Sequence, residues 1–160
     1  MSPAIWVGSY GKYNKGILAG KWLKLEDYDN RDEFYEAAEE LHNDEADPEF
    51  MFNDWEYLPE SLVGESWVSE DVWPMIKHDS PFEAKVAFVE WFGKWDEDAF
   101  EDSFAGAWES DIDFAWEFAE SVGDFNSIPD HLRAYFDIEK YARDLMFDYH
   151  EDNGFYFRAV

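Results

Sequence analysis

The sequence predicts an α+β protein made of three small domains. An N-terminal α+β domain spans 1–59, a small helical domain 60–95 and a C-terminal α+β domain 96–160, the outer two carrying short antiparallel sheets. Three observations predict this. Apolar stretches bounded by turn formers lie at both ends, Ile5 to Ser9 with Ile17 to Leu25, and Phe155 to Ala159 after the turn Asn153-Gly154. Stretches with apolar residues at helical spacing follow capping signals at Asn30, Ser80-Pro81 and Ser110. Finally, Trp95 to Leu132 holds twelve Asp or Glu, no Lys or Arg, and eight aromatics. A disordered acidic tail lacks such aromatics, so this stretch can fold and still present an anionic face.

In chain order, Ile5 to Leu25 reads as a β-hairpin whose connection, Gly11 to Gly16, holds turn formers. Its glycines match turn geometry and do not match a phosphate-binding fingerprint. Asn30 is a good N-cap with Glu33 three residues on, and the helix it starts runs to about Asn43. Phe34, Ala37, Ala38 and Leu41 fall on one face of it. Phe50 to Tyr57 reads as a strand. Leu62 to Trp73 reads as short helices. Pro81 takes the first position of the next helix, whose apolar stripe is Phe82, Val86, Val89 and Phe92 or Gly93. Phe100 to Trp108 is expected as strand, given Gly106 and the Phe, Ala and Trp content. Ser110 caps a helix to about Val122, ended by Gly123. A helical region from Pro129 passes through Leu132, Phe136, Tyr141, Leu145 and Phe147, and Phe155 to Ala159 is the last strand.

Charge sets the class of partner. The 160 residues carry 12 Lys plus Arg against 39 Asp plus Glu, a formal charge of −27 that opposes folding by self-repulsion. Aromatic content of 21 % offers compensating burial, at roughly 1.5–3 kcal/mol per buried large side chain. Charge of this sign argues against direct binding of nucleic acid or of an anionic membrane, and basic partners are favoured. There is no cysteine, hence no disulfide and no thiolate metal site. No apolar run is long enough for a membrane span and Met1-Ser2-Pro3-Ala4 lacks a signal-peptide pattern, so a soluble cytoplasmic protein is expected. The four lysines before residue 25 (Lys12, Lys15, Lys21, Lys24) stand apart from two acidic blocks, 25–76 and 95–132, which a near-neutral segment separates.

Catalytic and metal-binding arrangements find no support. Calcium-loop spacing fails at Asp27-Tyr28-Asp29 and at Asp148 to Gly154. His42, His78, His131 and His150 are dispersed, with no H-E-x-x-H. The expectation is a non-enzyme without cofactor or metal. Duplex DNA carries one charge per ~1.7 Å of axis, so a charge of −27 corresponds to roughly 46 Å, or about 13 base pairs. A single helix is too sparse to reach that density, so several elements must align their acids. The blander reading is a halophilic or solubilising surface, and against it stand the segregated lysines and the high aromatic content.

The chain resembles the ArdA-type antirestriction proteins of mobile genetic elements. The matching residues are Ile5-Trp6-Val7-Gly8-Ser9-Tyr10 with Lys12-Tyr13-Asn14, Gly20-Lys21-Trp22-Leu23, Phe34-Tyr35-Glu36-Ala37, Leu41-His42, Asp47-Pro48-Glu49-Phe50-Met51-Phe52 with Asp54-Trp55-Glu56, and Glu65-Ser66-Trp67. The C-terminal match runs from Tyr135 to Leu145. The resemblance implies an elongated string of three domains that forms a homodimer, mimics bent duplex DNA and occupies the DNA-binding groove of type I restriction–modification enzymes. The runner-up is an acidic adaptor for another basic DNA-binding protein.

The expected DNA-mimic surface comprises Asp32, Glu36, Glu39, Glu40, Asp44, Glu45, Glu70, Asp71, Glu97, Asp98, Glu101, Asp102, Glu109, Asp111, Asp113, Glu117 and Glu120. By the resemblance, Tyr135, Phe136, Asp137, Tyr141, Ala142, Arg143, Asp144 and Leu145 form the antirestriction motif. With Lys140 and Arg143 within it and Arg133 just before it, this run is read as core and dimer-interface material.

Overall fold

The computed structural model describes residues 2–159, which fold as an α+β chain of helices and short antiparallel sheets. Backbone contacts divide it into two compact units, Met1–Glu97 and Asp98–Val160.

The first unit is built on a three-stranded antiparallel sheet in which β1 (Ala4–Ser9) lies between β2 (Lys21–Lys24) and β3 (Phe50–Glu56). Ile5 sits opposite both Leu23 and Trp55. The β1–β2 connection holds a short helix, α1 (Tyr10–Asn14), where a plain turn was expected, because the Ser9 side chain accepts from the Lys12 N–H and caps a helical turn. Helix α2 (Arg31–Leu41) starts where its cap predicts: Asn30 accepts from the Glu33 N–H. The Glu33 carboxylate returns to the Asp29 N–H, one residue earlier than in a regular capping box. Phe34 and Ala38 on α2 are fully buried, Phe34 edge-on to Phe52 at 5.8 Å and beside Trp73 at 5.9 Å. With Ile5, Val7 and Leu25 they form the core of this unit.

The segment after β3 differs from expectation. Residues 63–68 form a hairpin, β4 (Val63–Gly64) and β5 (Trp67–Val68), in place of a helix. Gly64 permits it, since a Cβ there would run into the Trp67 indole. Helix α3 (Val72–Lys77) follows, and the Trp73 indole N–H donates to the Leu25 carbonyl at 3.1 Å. Helix α4 (Phe82–Phe92) begins one residue after Pro81 and ends at Gly93, whose φ of 94° suits glycine. Its buried face is Ala84, Lys85, Ala87, Phe88 and Val89, and Phe92 is exposed. The predicted stripe is therefore rotated. Lys85 turns inward to donate to the His78 and Ile76 carbonyls at 2.6 and 3.3 Å, capping the end of α3. Burial holds its ammonium below the ordinary lysine range.

Helix α5 (Glu97–Ser103) starts at the last residue of the first unit and takes residues 100–103 of the run expected as strand into the second. Ser103 donates to the Ala99 carbonyl at 2.6 Å and Phe100 is buried, so the helix persists until β6 (Phe104–Ala107). Helix α6 (Asp111–Ser121) is capped by Ser110, which accepts from the Asp113 N–H, and Gly123 lies just beyond it at φ 77°. Within the region from Pro129, residues 130–135 are 3-10 helix and α7 spans Ile138–Leu145. The chain closes with β7 (Tyr149–Asp152) and β8 (Phe155–Arg158), joined by Asn153 and Gly154 with φ of 55° and 83°, a two-residue hairpin turn. The sheet order is β6-β8-β7. Phe100, Phe114, Ala115, Ala119, Tyr156 and Phe157 form the core. No helix among the described residues is long and apolar enough to cross a membrane.

Candidate functional site

Folding leaves the predicted acids at the surface. None of them is buried, and all are exposed except the half-buried Glu45 and Asp71. On α2, Asp32, Glu36, Glu39 and Glu40 project away from the Phe34–Ala38 face. Their spacing of three and four residues puts neighbouring Cβ atoms about 5–6 Å apart, a like-charge arrangement that costs stability.

Asp32, Glu70, Asp71 and Glu97 line a single open cleft of about 710 Å³ in the first unit, together with Asp29, Trp73 and Lys77. Its cations are partly spent. Arg31 stands 3.6 Å from Glu70, and the Lys77 ammonium donates to the Asp29 carbonyl at 2.7 Å.

Asp44 and Glu45 differ from the rest. The Lys12 ammonium lies 2.8 Å from Asp44 Oδ1, 4.0 Å from Glu45 Oε2 and 3.0 Å from His42 Nδ1. His42 is buried with Nε2 3.2 Å from the Val7 carbonyl, so Nε2–H donates there and Nδ1 accepts from Lys12. The hydrogen bond from Lys12 holds the Asp44 carboxyl below the usual range. Asp44 and Glu45, expected on the open surface, share one Lys12 ammonium, which offsets one of their two charges.

In the second unit, Asp98, Glu101 and Asp102 follow α5 on the side away from the buried Phe100 and Ser103, and Asp113, Glu117 and Glu120 share one face of α6. Three carboxylates here are held by ring donors. The Tyr156 phenol donates to Asp111 at 2.7 Å, the Trp108 indole to Glu117 at 2.6 Å and the Tyr141 phenol to Asp124 at 2.6 Å. Burial first, and then the adjacent Asp124, push the Tyr141 phenol up to about 12. Tyr156 is raised by burial and by Asp111. Asp124 was missed by the sequence reading, and only its nearness to α6 could have suggested it.

The C-terminal run divides. Phe136 packs edge-on to Phe125 at 5.0 Å and against Tyr141 at 5.5 Å, and Ala142 is buried. Leu145 is half-buried. Asp137 caps α7 by accepting from the Lys140 N–H, and Arg143 pairs with Asp144 at 3.5 Å on the surface. Tyr135 is 83 % exposed and Phe147 79 %.

The family described as antirestriction protein (ArdA) matches this sequence over residues 5–157, nearly the whole chain. No curated protein matches it significantly.

Proposed function

Since this chain belongs to the ArdA family of antirestriction proteins, we propose that it inhibits type I restriction–modification enzymes by occupying their DNA-binding groove as an acidic mimic of duplex DNA. The observation that carries this reading is the exposure of the predicted acids along α2, α5 and α6, while the aromatics of the same stretches supply the cores. The function is one of binding and needs neither cofactor nor metal.

The driving force is counterion release. A groove lined by Lys and Arg sheds bound anions when a polyanion enters, whether the charges are phosphates or carboxylates. Carboxylates present no base edges, so sequence-specific readout is absent and enzymes of different recognition sequence become equivalent targets. Pairing into a homodimer doubles the charge array, and Tyr135 and Phe147 are exposed aromatic side chains for a two-fold, self-complementary interface. The antirestriction run then supports the surface and the interface instead of contacting the enzyme directly.

The test is competition. The purified chain should displace a labelled duplex from a type I methyltransferase, with an apparent affinity that falls steeply as salt rises. Failure to displace DNA at low salt, alongside tight binding to some other basic DNA-binding protein, would favour an adaptor role.

A further inference from the structure

We propose that Tyr156, Trp108 and Tyr141 are positioning residues of the anionic surface: neutral ring donors that fix Asp111, Glu117 and Asp124 in place without cancelling their charge. This inference rests on the DNA-mimic reading and deepens it. A mimic must meet two conflicting demands. Its carboxylates must stand at set positions, because ordering a free side chain on binding lowers affinity. They must also stay unneutralised, because each charge lost reduces the counterions that a basic groove can release. A lysine or arginine partner would meet the first demand and defeat the second. A phenol O–H or an indole N–H meets both, since its bond to an ionised acceptor is short and strong while the pair keeps a full negative charge.

The geometry fits that role. Tyr156 is buried in β8 with its ring 4.6 Å from Phe114 and 5.6 Å from Trp108, so the core fixes where its hydroxyl points. The Trp108 ring lies 4.7 Å from Phe114. Tyr141, on α7, is braced by Phe136 at 5.5 Å. The three acceptors mark the first residue of α6, its middle and the loop just past its end. Both phenols have their ionisation pushed upward, so they remain donors at physiological pH. The bases Arg133, Lys140 and Arg143 pair elsewhere in this unit, with Asp130, Asp137 and Asp144.

The experiment compares two double variants of the full chain, Tyr141→Phe/Tyr156→Phe and Asp111→Asn/Asp124→Asn. Two readouts are taken: carboxyl-carbon NMR of Asp111 and Asp124 in the free protein, and competition with duplex for a DNA-free type I methyltransferase across a salt series. The tyrosine variant keeps every charge. It should shift both carboxyl signals and weaken competition roughly tenfold with the salt slope unchanged, whereas the aspartate variant should flatten the slope. Tyrosine variants that are folded by circular dichroism yet compete like the wild type overturn the proposal, as does a slope that flattens in them. Should removal of the buried Tyr156 hydroxyl unfold the unit, Tyr141→Phe alone carries the same comparison at Asp124. A wild-type chain that fails to compete, with its carboxyl signals still sensitive to the tyrosines, overturns the mimic reading and reduces the ring donors to a structural part.

Discussion

The Lys12 ammonium stands 3.0 Å from Nδ1 of the buried His42, and the two side chains close a cluster with Asp44 and Glu45 at the end of α2. This lysine, one of the four that stand apart from the acidic blocks in sequence, is a structural part of the first unit. Replacing Lys12 with Met should cost about 1 kcal/mol through the unsatisfied His42 acceptor, read by thermal unfolding. The exposed Lys15, replaced by Gln, should leave both stability and inhibition unchanged or make inhibition slightly stronger. Loss of inhibition in a folded Lys15 variant would mean that it touches the target.

Alkaline pH should expose the ring donors. The Tyr141 phenol ionises near 10 in the unfolded chain and at about 12 in the folded one. A raised value means that its stabilising contribution is complete below pH 10 and is lost as pH rises towards 12. The wild-type melting temperature should therefore fall more steeply over that window than that of Tyr141→Phe. Parallel curves would show that the hydrogen bond to Asp124 contributes nothing in solution.

Lys85 gives a test of the rotated α4. Replacing it with Ala removes both donors from the carbonyls at the end of α3 and opens the buried face of α4. The cost should be about 2–4 kcal/mol, measured by denaturant unfolding. Val86→Ala, at a half-buried position of the stripe that sequence favoured, should cost less. The reverse order would restore the original stripe.

Those two helix faces show where the sequence stops being legible. Helices α2 and α6 are readable because their start and stop signals are local: Asn30 with Glu33, Ser110 with Asp113, then Gly123. Strand β3 is readable from its run of bulky residues. Helix α4 has apolar residues on most sides, and only a hydrogen bond to another helix decides that Lys85 faces in. Residues 100–103, expected as strand with the rest of the run to Trp108, are helical: the Phe and Ala content of that run suits either state, and Phe100 is buried from the helix. Strand β7, Tyr149–Asp152, is polar and owes its existence to its partner β8. At the candidate site, exposure of the acids is legible from helical period, but capture of Asp44 by Lys12 and of Asp124 by Tyr141 spans 32 and 17 residues.

Self-association bears on the length of the charge array. Sedimentation at micromolar concentration should report a dimer, and Tyr135→Glu/Phe147→Glu should convert it to monomer by burying charge at an apolar contact. The monomeric variant should inhibit more weakly than the wild type while its circular dichroism stays the same. A wild-type chain that is monomeric at every concentration would remove the doubled array from the account.

The central claim is that inhibition comes from many carboxylates, each contributing little. Exposed ion pairs are worth about 0–1 kcal/mol, so Glu109→Gln alone should be nearly silent. Neutralising Glu97, Asp98, Glu101, Asp102, Glu109, Asp111 and Asp113 together should leave the fold intact, since relieved repulsion offsets the lost helix-end charges. The deciding measurement is the affinity of each variant for a DNA-free type I enzyme over a salt series, with circular dichroism as the folding control. The block variant should lose much of its affinity and show a flattened salt dependence, beside a near-wild-type single variant. One substitution that abolishes binding, next to a block variant that binds as before, would contradict it and locate a discrete contact site.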